Sequence, residues 1–135
     1  MPVHVGSSDV LRVGLIGCGG RGSGAALNAL KADPNARLVA MGDLFGDRLE
    51  GSLRGLMNSE VKSQIAVDDE HKFTDWDNYK GVIANSDVVL LCEAPHFRPM
   101  HLKAAIEAGK HVFCEKPVAT DAPGLRSVME TSRLA

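Results

Sequence analysis

The apolar residues of the chain fall in short runs, and each run is followed by a stretch with helix-like spacing. The clearest runs are 11–16, 37–42, 88–92 and 111–114. The run 88–92 is apolar throughout, which is typical of a strand buried on both faces of a parallel sheet covered by helices. The alternation of strand and helix therefore predicts an α/β protein.

Five strands and five helices are predicted from this pattern. The strands are 11–16, 37–42, 72–74, 88–92 and 111–114, and the helices are 21–32, 46–59, 75–85, 98–108 and a last one from 121. For the third strand, 65–67 is the alternative and 72–74 is favoured. Right-handed crossovers with a switch point after the first strand give a doubly wound parallel sheet of order 3-2-1-4-5, with helices on both faces.

The third helix is predicted from a capping residue and from its apolar positions. Asp75 is expected to cap it at the N-terminus. The residues expected to face inward are Trp76, Tyr79, Val82 and Ile83.

The first predicted strand ends in a glycine-rich turn with the spacing G-x-G-x-x-G, at Gly17, Gly19 and Gly22. Gly17 allows a tight turn, Gly19 lets a pyrophosphate approach the backbone, and Gly22 lets the following helix pack closely on the strand. That helix presents free N–H groups and a partial positive charge to the phosphates. Arg21 is a further candidate for the pyrophosphate, and a solvated arginine is the alternative. Because a strand precedes the turn and a helix follows it, the motif predicts dinucleotide binding rather than a plain glycine turn.

Asp43 follows the second predicted strand, 21 positions beyond Gly22. An acid at this place accepts hydrogen bonds from the ribose hydroxyls of the adenosine half, and its charge repels a 2′-phosphate. Arg48 could bind such a phosphate, but we interpret it first as a surface residue of the next helix. The predicted cofactor is therefore NAD, with NADP less favoured.

The loops after the fourth and fifth strands supply further candidates. Pro95 ends the strand ladder and sets a turn where the nicotinamide half should pass, and His96 could contact the nicotinamide ribose, the substrate or neither. Glu115 and Lys116 end the fifth strand at the same crevice. Oxidation of a carbinol requires a group that takes the hydroxyl proton, which a partly desolvated lysine beside the nicotinamide could do. Lys116 could instead stay charged and orient the hydroxyl, or be an ordinary lysine at a strand end.

Composition and charge narrow the class of protein. The 135 residues suffice for one domain, with 44% apolar residues for its core. A net charge of −2 argues against partners such as nucleic acid or a membrane surface, and no apolar run is long enough to cross a membrane. Residues 1–9 lack the apolar core of a signal peptide, so we expect a short leader followed by one nucleotide-binding domain at 10–135.

The cysteines and histidines do not point to a metal or a disulfide. The three cysteines are widely spaced, and the histidines lack metal-ligand spacing. We therefore expect no metal site and a reducing, cytoplasmic location.

Three stretches of the sequence resemble the Gfo/Idh/MocA oxidoreductases. They are VGLIGCG at 13–19, AIEAGKHVFC at 105–114 and EKP at 115–117. The resemblance extends from about Leu11 onward and implies an NAD(P)-binding Rossmann domain in which the three motif glycines and Asp43 bind the cofactor. It also implies that Lys116 lies beside the nicotinamide and the substrate. The sequence departs from the family where Glu93 replaces a small polar residue of the usual A-T-P triplet.

The family also has a second α/β domain, which carries the substrate pocket, a catalytic histidine and most of the oligomer interface. The 135 residues contain neither that domain nor the usual sixth strand. The resemblance thus implies the nucleotide-binding half of an oxidoreductase that moves a hydride between NAD and a sugar or cyclitol carbinol. We expect this half to be inactive alone, and a sugar-like substrate to bind only with the second domain.

Two further expectations follow. A non-catalytic nucleotide-binding or interaction module is the alternative function. An unpaired edge on the fifth strand and apolar surface beside it lead us to expect a homo-oligomer.

Overall fold

A single sheet of five parallel strands runs through the computed structural model, which describes residues 9–135. The strands are β1 (Leu11–Ile16), β2 (Ala36–Gly42), β3 (Lys72–Phe73), β4 (Val88–Leu91) and β5 (His111–Cys114). The helices are α1 (Gly20–Ala32), α2 (Gly46–Met57), α3 (Asn78–Asn85), α4 (Arg98–Glu107) and α5 (Ala122–Leu134), with 3₁₀ turns at Lys62–Gln64, Asp69–His71 and Pro95–Phe97. The strand order β3-β2-β1-β4-β5 confirms the predicted doubly wound architecture. Residues 1–8 of the predicted leader lie outside the described residues.

The sheet is buried on both faces, which explains the apolar character of its central strands. On one face, Leu15 of β1 packs in a cluster with residues of α1 and α2. On the other face, the neighbouring Ile16 packs in a second cluster with residues of α3 and α4. Within the described helices, none is both long and apolar enough to cross a bilayer.

The prediction for the start of the third helix is wrong. The backbone carbonyl of Asp75 accepts hydrogen bonds from the N–H of Asn78 (3.1 Å) and from its Nδ2 (2.6 Å), so residues 75–78 form a turn and α3 begins at Asn78. Trp76 precedes the helix and is 71% exposed, against the prediction that it faces inward. The predicted inward positions Tyr79, Val82 and Ile83 are buried.

The third strand is the segment that the sequence pattern favoured. Lys72 and Phe73 pair in parallel with Met41 and Gly42. The alternative segment contributes only an isolated bridge between Ile65 and Leu38.

Within residues 9–135, β5 is an edge strand of the sheet. Its Phe113 is exposed, as are Leu125 and Met129 of α5. Because all strands are parallel, the carboxyl ends of β1, β2, β4 and β5 meet at one edge of the sheet, and the residues that follow them form the candidate site.

Candidate nucleotide-binding site

The three motif glycines differ in what surrounds them. Gly17 has a φ of +92°, and a Cβ there would overlap the Cys92–Glu93 backbone. A Cβ on Gly22 would overlap the carbonyl oxygen of Gly17. A Cβ on Gly19, in contrast, would have no atom within 4 Å. Gly17 and Gly22 are therefore required by the fold itself, whereas Gly19 borders open space.

The N-terminus of α1 lies at this open space. Gly19 is the N-cap residue, and among the described residues no side chain caps the helix and no acidic residue lies in its first turn. The first N–H groups of a helix have no intrahelical partner and carry a partial positive charge. This arrangement suits an anion that approaches Gly19.

Asp43 joins the glycine turn to the loop after β2. Its Oδ2 accepts the N–H of Cys18 (2.7 Å), and its Oδ1 accepts the N–H of Phe45 (2.9 Å). The residue is 9% exposed. Because each carboxylate oxygen has about two acceptor sites, Asp43 retains capacity for ribose hydroxyls.

A cleft lies over the carboxyl ends of β1, β2 and β4 and holds Gly17, Gly19 and Asp43 together. Its other lining residues lie at the ends of β1 and β4 and in the segments that follow β2, β3 and β4. These segments lead into α2, α3 and α4. The lining residues are Ile16, Leu44, Phe45, Arg48, Trp76, Asn78, Cys92, Glu93, Ala94, Phe97 and His101. Arg48 is exposed, as predicted, and its guanidinium lies 5.5 Å from the centre of the Phe45 ring.

A second group of predicted residues gathers at the end of β5. The Oε2 of the buried Glu115 accepts a hydrogen bond from Nε of Arg21 (2.7 Å), and its Oε1 accepts the N–H of Lys116 (3.2 Å). The hydrogen bond from Arg21 lowers the pKa of Glu115 below its usual range. Arg21 therefore links the start of α1 to the loop after β5.

The predicted nicotinamide-side residues do not line the cleft. Lys116 and His96 are exposed, and Pro95 is half-buried at the start of a 3₁₀ turn. The His96 ring contacts Phe97 edge-on, with centroids 5.2 Å apart. The Lys116–Pro117 peptide bond is cis.

Sequence reasoning missed a buried arginine that holds two loops together. Arg98 is 3% exposed, and its Nη1 donates to the carbonyl oxygens of Glu115 (2.7 Å) and Pro117. Its Nη2 donates to the carbonyl oxygen of Glu93. Arg98 thus binds the backbone on both sides of Lys116 and ties it to the loop after β4.

The Glu93 carboxylate lies against this arginine and against a histidine. Its Oε1 is 3.4 Å from Nε of Arg98, and its Oε2 is 3.7 Å from Nδ1 of His101. The His101 ring stacks on Tyr79, with centroids 4.3 Å apart. The only sequence signal for this cluster was the i, i+3 spacing of Arg98 and His101 beside a strand end. The side chain of Glu93, where the sequence departs from the family triplet, is only 8% exposed and packs against these two partners.

The cysteines near the cleft are protonated thiols. Cys18 is buried, and its Sγ donates to the carbonyl oxygen of Gly42 (3.4 Å). Burial raises the pKa of Cys18 well above its usual range and that of Cys92 to about 11. In the part of the chain that the structure describes, no three potential metal ligands cluster.

Known proteins resemble this chain over nearly its whole length. Inositol 2-dehydrogenase from Cereibacter sphaeroides (strain ATCC 17029) is 35% identical over 120 residues, which cover 89% of this chain and 32% of the relative. Myo-inositol 2-dehydrogenase from Thermotoga maritima is 31% identical over 126 residues, or 93% of this chain and 34% of the relative. The chain therefore spans about a third of the length of these relatives.

Solved structures give the same result for the fold. The scyllo-inositol dehydrogenase of Lactobacillus casei, with bound NAD(H) and scyllo-inositol, superposes with a TM-score of 0.69 at 23% identity, covering 93% of this chain and 33% of that one. A probable dehydrogenase from Thermotoga maritima superposes with a TM-score of 0.63 at 31% identity, covering 92% and 34%. Residues 11–134 match the oxidoreductase family with an NAD-binding Rossmann fold. The chain thus belongs to the Gfo/Idh/MocA oxidoreductase family and comprises its NAD-binding Rossmann domain.

Proposed function

We propose that this chain binds NAD as the nucleotide-binding part of an oxidoreductase that transfers a hydride between the cofactor and a carbinol of a sugar or cyclitol. The observation that carries the proposal is that one cleft holds the open Gly19, the uncapped start of α1 and the carboxylate of Asp43. The names of the relatives, which are inositol dehydrogenases, support the choice of substrate class.

The residues of the cleft suit the pyrophosphate and the adenosine ribose of a dinucleotide. A pyrophosphate approaching Gly19 meets free space and the positive end of α1. Asp43 lies next to that position and accepts the ribose hydroxyls. The negative charge of Asp43 favours NAD over NADP, and the exposed Arg48 in the same cleft is the residue that would admit a 2′-phosphate. We assign the nucleotide-binding domain to residues 10–135.

The loops after β4 and β5 would serve the nicotinamide half. Nicotinamide, when bound, accepts or returns the hydride. Lys116 would take the hydroxyl proton or orient the hydroxyl, on a loop that Arg98 holds at the carbonyl oxygens of both neighbouring residues. Pro95 and His96 would flank the nicotinamide ribose, and Glu115 would hold Arg21 near the pyrophosphate.

The partners of the chain follow from the same reasoning. In this family the substrate pocket belongs to a second domain, so we expect the purified 135-residue chain to bind nucleotide without turnover. We propose self-association through the β5 edge and the exposed Phe113, and a reducing, cytoplasmic location supported by three free cysteines.

Calorimetric titration of the purified chain with NAD and NADP tests the proposal. We expect saturable binding of NAD and weaker binding of NADP. Asp43→Asn keeps the size of the side chain, removes its charge and replaces one of the two oxygens that accept the N–H groups of Cys18 and Phe45 by a donor. It should weaken NAD binding about tenfold or more, because hydrogen bonds to a charged group contribute about 1.5–3 kcal/mol.

The matched control is Asp33→Asn. Asp33 accepts the N–H of Asn35 just before β2, at the amino ends of the strands and away from the cleft. Its replacement should leave the affinity for NAD unchanged. Wild-type protein that binds neither dinucleotide would contradict the proposal and favour an interaction module. Equal affinity in Asp43→Asn would contradict the assignment of the ribose site.

A further inference from the structure

The carboxylate of Glu93 is a buried charge at the cleft that the proposed function leaves unused. Its side chain is only 8% exposed, and the residue lines the cleft together with Gly17 and Gly19. Within residues 9–135, neither carboxylate oxygen accepts a hydrogen bond, although Nε of Arg98 lies 3.4 Å from Oε1. Because buried polar groups normally have a hydrogen-bond partner, an unpartnered carboxylate that lines a cleft indicates an interaction with a bound molecule.

Arg98 is the nearest positive charge, but most of its donors are used by the backbone. Its Nη1 and Nη2 donate to the carbonyl oxygens of Glu93, Glu115 and Pro117. Its Nε faces the Glu93 carboxylate without a hydrogen bond, and so does Nδ1 of His101, 3.7 Å from Oε2. The carboxylate is therefore held by packing and by an ion pair, and its oxygens keep their capacity to interact with a ligand.

Glu93 lies between the glycine turn and the loop that carries Lys116. A Cβ on Gly17 would overlap the backbone nitrogen of Glu93, so these two segments touch. On the other side, the guanidinium of Arg98 joins the carbonyl oxygen of Glu93 to those on both sides of Lys116. A dinucleotide with its pyrophosphate at the glycine turn and its nicotinamide at Lys116 would bring its nicotinamide half near the Glu93 carboxylate.

We propose that the Glu93 carboxylate makes the cleft selective for the oxidised form of the cofactor over the reduced form. The inference rests on the proposed function, since it takes the positions of the pyrophosphate and the nicotinamide from it. The oxidised nicotinamide ring carries one positive charge, the reduced ring is neutral, and the rest of the dinucleotide is the same in both forms. A buried negative charge nearby therefore stabilises oxidised NAD more than NADH, because charges interact more strongly where the dielectric constant is low.

Positive side chains near Glu93 act in the opposite direction. Arg21 and Lys116 both meet the Glu115 carboxylate at the end of β5, through Nε and through the backbone N–H, and Arg98 binds the carbonyl oxygen of the same residue. These cations are present in wild type and in variants of Glu93 alike. The change in the ratio of the two affinities when the carboxylate is removed therefore isolates the effect of its charge.

Calorimetry with oxidised NAD and with NADH tests the inference. Glu93→Gln keeps the size of the side chain without its charge, and Glu93→Thr introduces the small polar residue of the family triplet. In both variants, the ratio of the Kd for NADH to the Kd for oxidised NAD should fall about three- to tenfold relative to wild type. Glu93→Asp keeps the charge and should keep this ratio within about twofold of wild type.

Asp43→Asn is the matched control, because it removes one charge from another part of the same cleft. It should weaken oxidised NAD and NADH by the same factor and leave the ratio unchanged, since we assign Asp43 to the adenosine ribose, which is identical in the two forms. Circular dichroism of each variant establishes that it is folded before it is titrated. If one of the two uncharged Glu93 variants does not fold, the other carries the test.

The outcomes separate this inference from the function on which it rests. An unchanged ratio in the uncharged Glu93 variants, with NAD binding retained, would overturn the selectivity and leave the proposed function intact. A fall of the same size in Asp43→Asn would also overturn it, because the effect would then not be specific to Glu93. Wild-type protein that binds neither oxidised NAD nor NADH would overturn both proposals.

Discussion

Replacement of Arg98 by methionine should destabilise the domain more than any surface substitution. Methionine keeps an unbranched apolar stem but has no donors. The change removes the hydrogen bonds to the carbonyl oxygens of Glu93, Glu115 and Pro117. It also leaves the Glu93 carboxylate, whose side chain is 8% exposed, without its nearest positive charge.

The size of the effect follows from the burial of this pair. Removing one partner of a buried ion pair typically costs about 3–5 kcal/mol, because the remaining charge is left uncompensated. The lost hydrogen bonds overlap with this cost and are not added to it. A domain of this kind is stable by about 5–15 kcal/mol, so we expect Arg98→Met to lose about 3–5 kcal/mol and to remain folded near 25 °C.

Urea unfolding followed by circular dichroism measures the free energy of unfolding. The second variant is Glu93→Gln, which removes the buried charge that Arg98 balances. If the pair is coupled, the double variant should be more stable than the sum of the single effects predicts, by about 1–3 kcal/mol.

Arg126→Met on the exposed surface of α5 is the control and should change stability by less than about 0.5 kcal/mol. The reasoning is refuted if Arg98→Met costs less than about 1 kcal/mol, or if the two single effects simply add.

The remaining predictions concern the glycine turn and a carboxylate at the opposite end of the sheet. Gly19→Ala should change the free energy of unfolding by less than about 1 kcal/mol, yet weaken NAD binding about tenfold by calorimetry, because the added methyl group enters the open space. Gly24→Ala, whose methyl group also meets open space, is the control and should leave NAD binding unchanged. Equal affinities of the two variants for NAD would argue against a pyrophosphate at Gly19. The hydrogen bond from Arg12 lowers the pKa of Asp87 in the folded chain. Wild type should therefore be more stable than Asp87→Asn at pH 7, and this difference should vanish as the pH falls below about 4 and Asp87 becomes protonated in the folded chain. Since both side chains are partly exposed, that advantage should be about 1 kcal/mol at most in urea unfolding at each pH, and an advantage that persists at low pH would contradict the assignment.

The strand order could be predicted because it depends on local patterns. Apolar runs between helical stretches define the parallel strands, and the glycine turn marks the switch point. The sequence pattern also distinguishes Asp43, which directly follows β2, from the other acids of the chain. These features are contiguous in sequence, so one stretch at a time suffices to find them.

The errors and omissions came from contacts that a local pattern does not contain. Asp75 has the right residue type for a cap, but its backbone carbonyl closes a turn and leaves Trp76 exposed. The contacts of Arg98 join the loops after β4 and β5, which are about 20 residues apart in sequence. Their proximity depends on the completed sheet, in which β4 and β5 pair side by side.

The most direct test of the central claim is to observe which backbone amides respond to NAD. A 14.4 kDa chain is suited to two-dimensional ¹⁵N–¹H spectroscopy with residue assignments. We predict that NAD shifts the amide signals of Gly19, Gly20 and Phe45 most strongly and leaves those of the last turns of α5 nearly unchanged. Absence of shifts at saturating NAD, or shifts confined to residues outside the cleft, would contradict the claim that this cleft binds the dinucleotide.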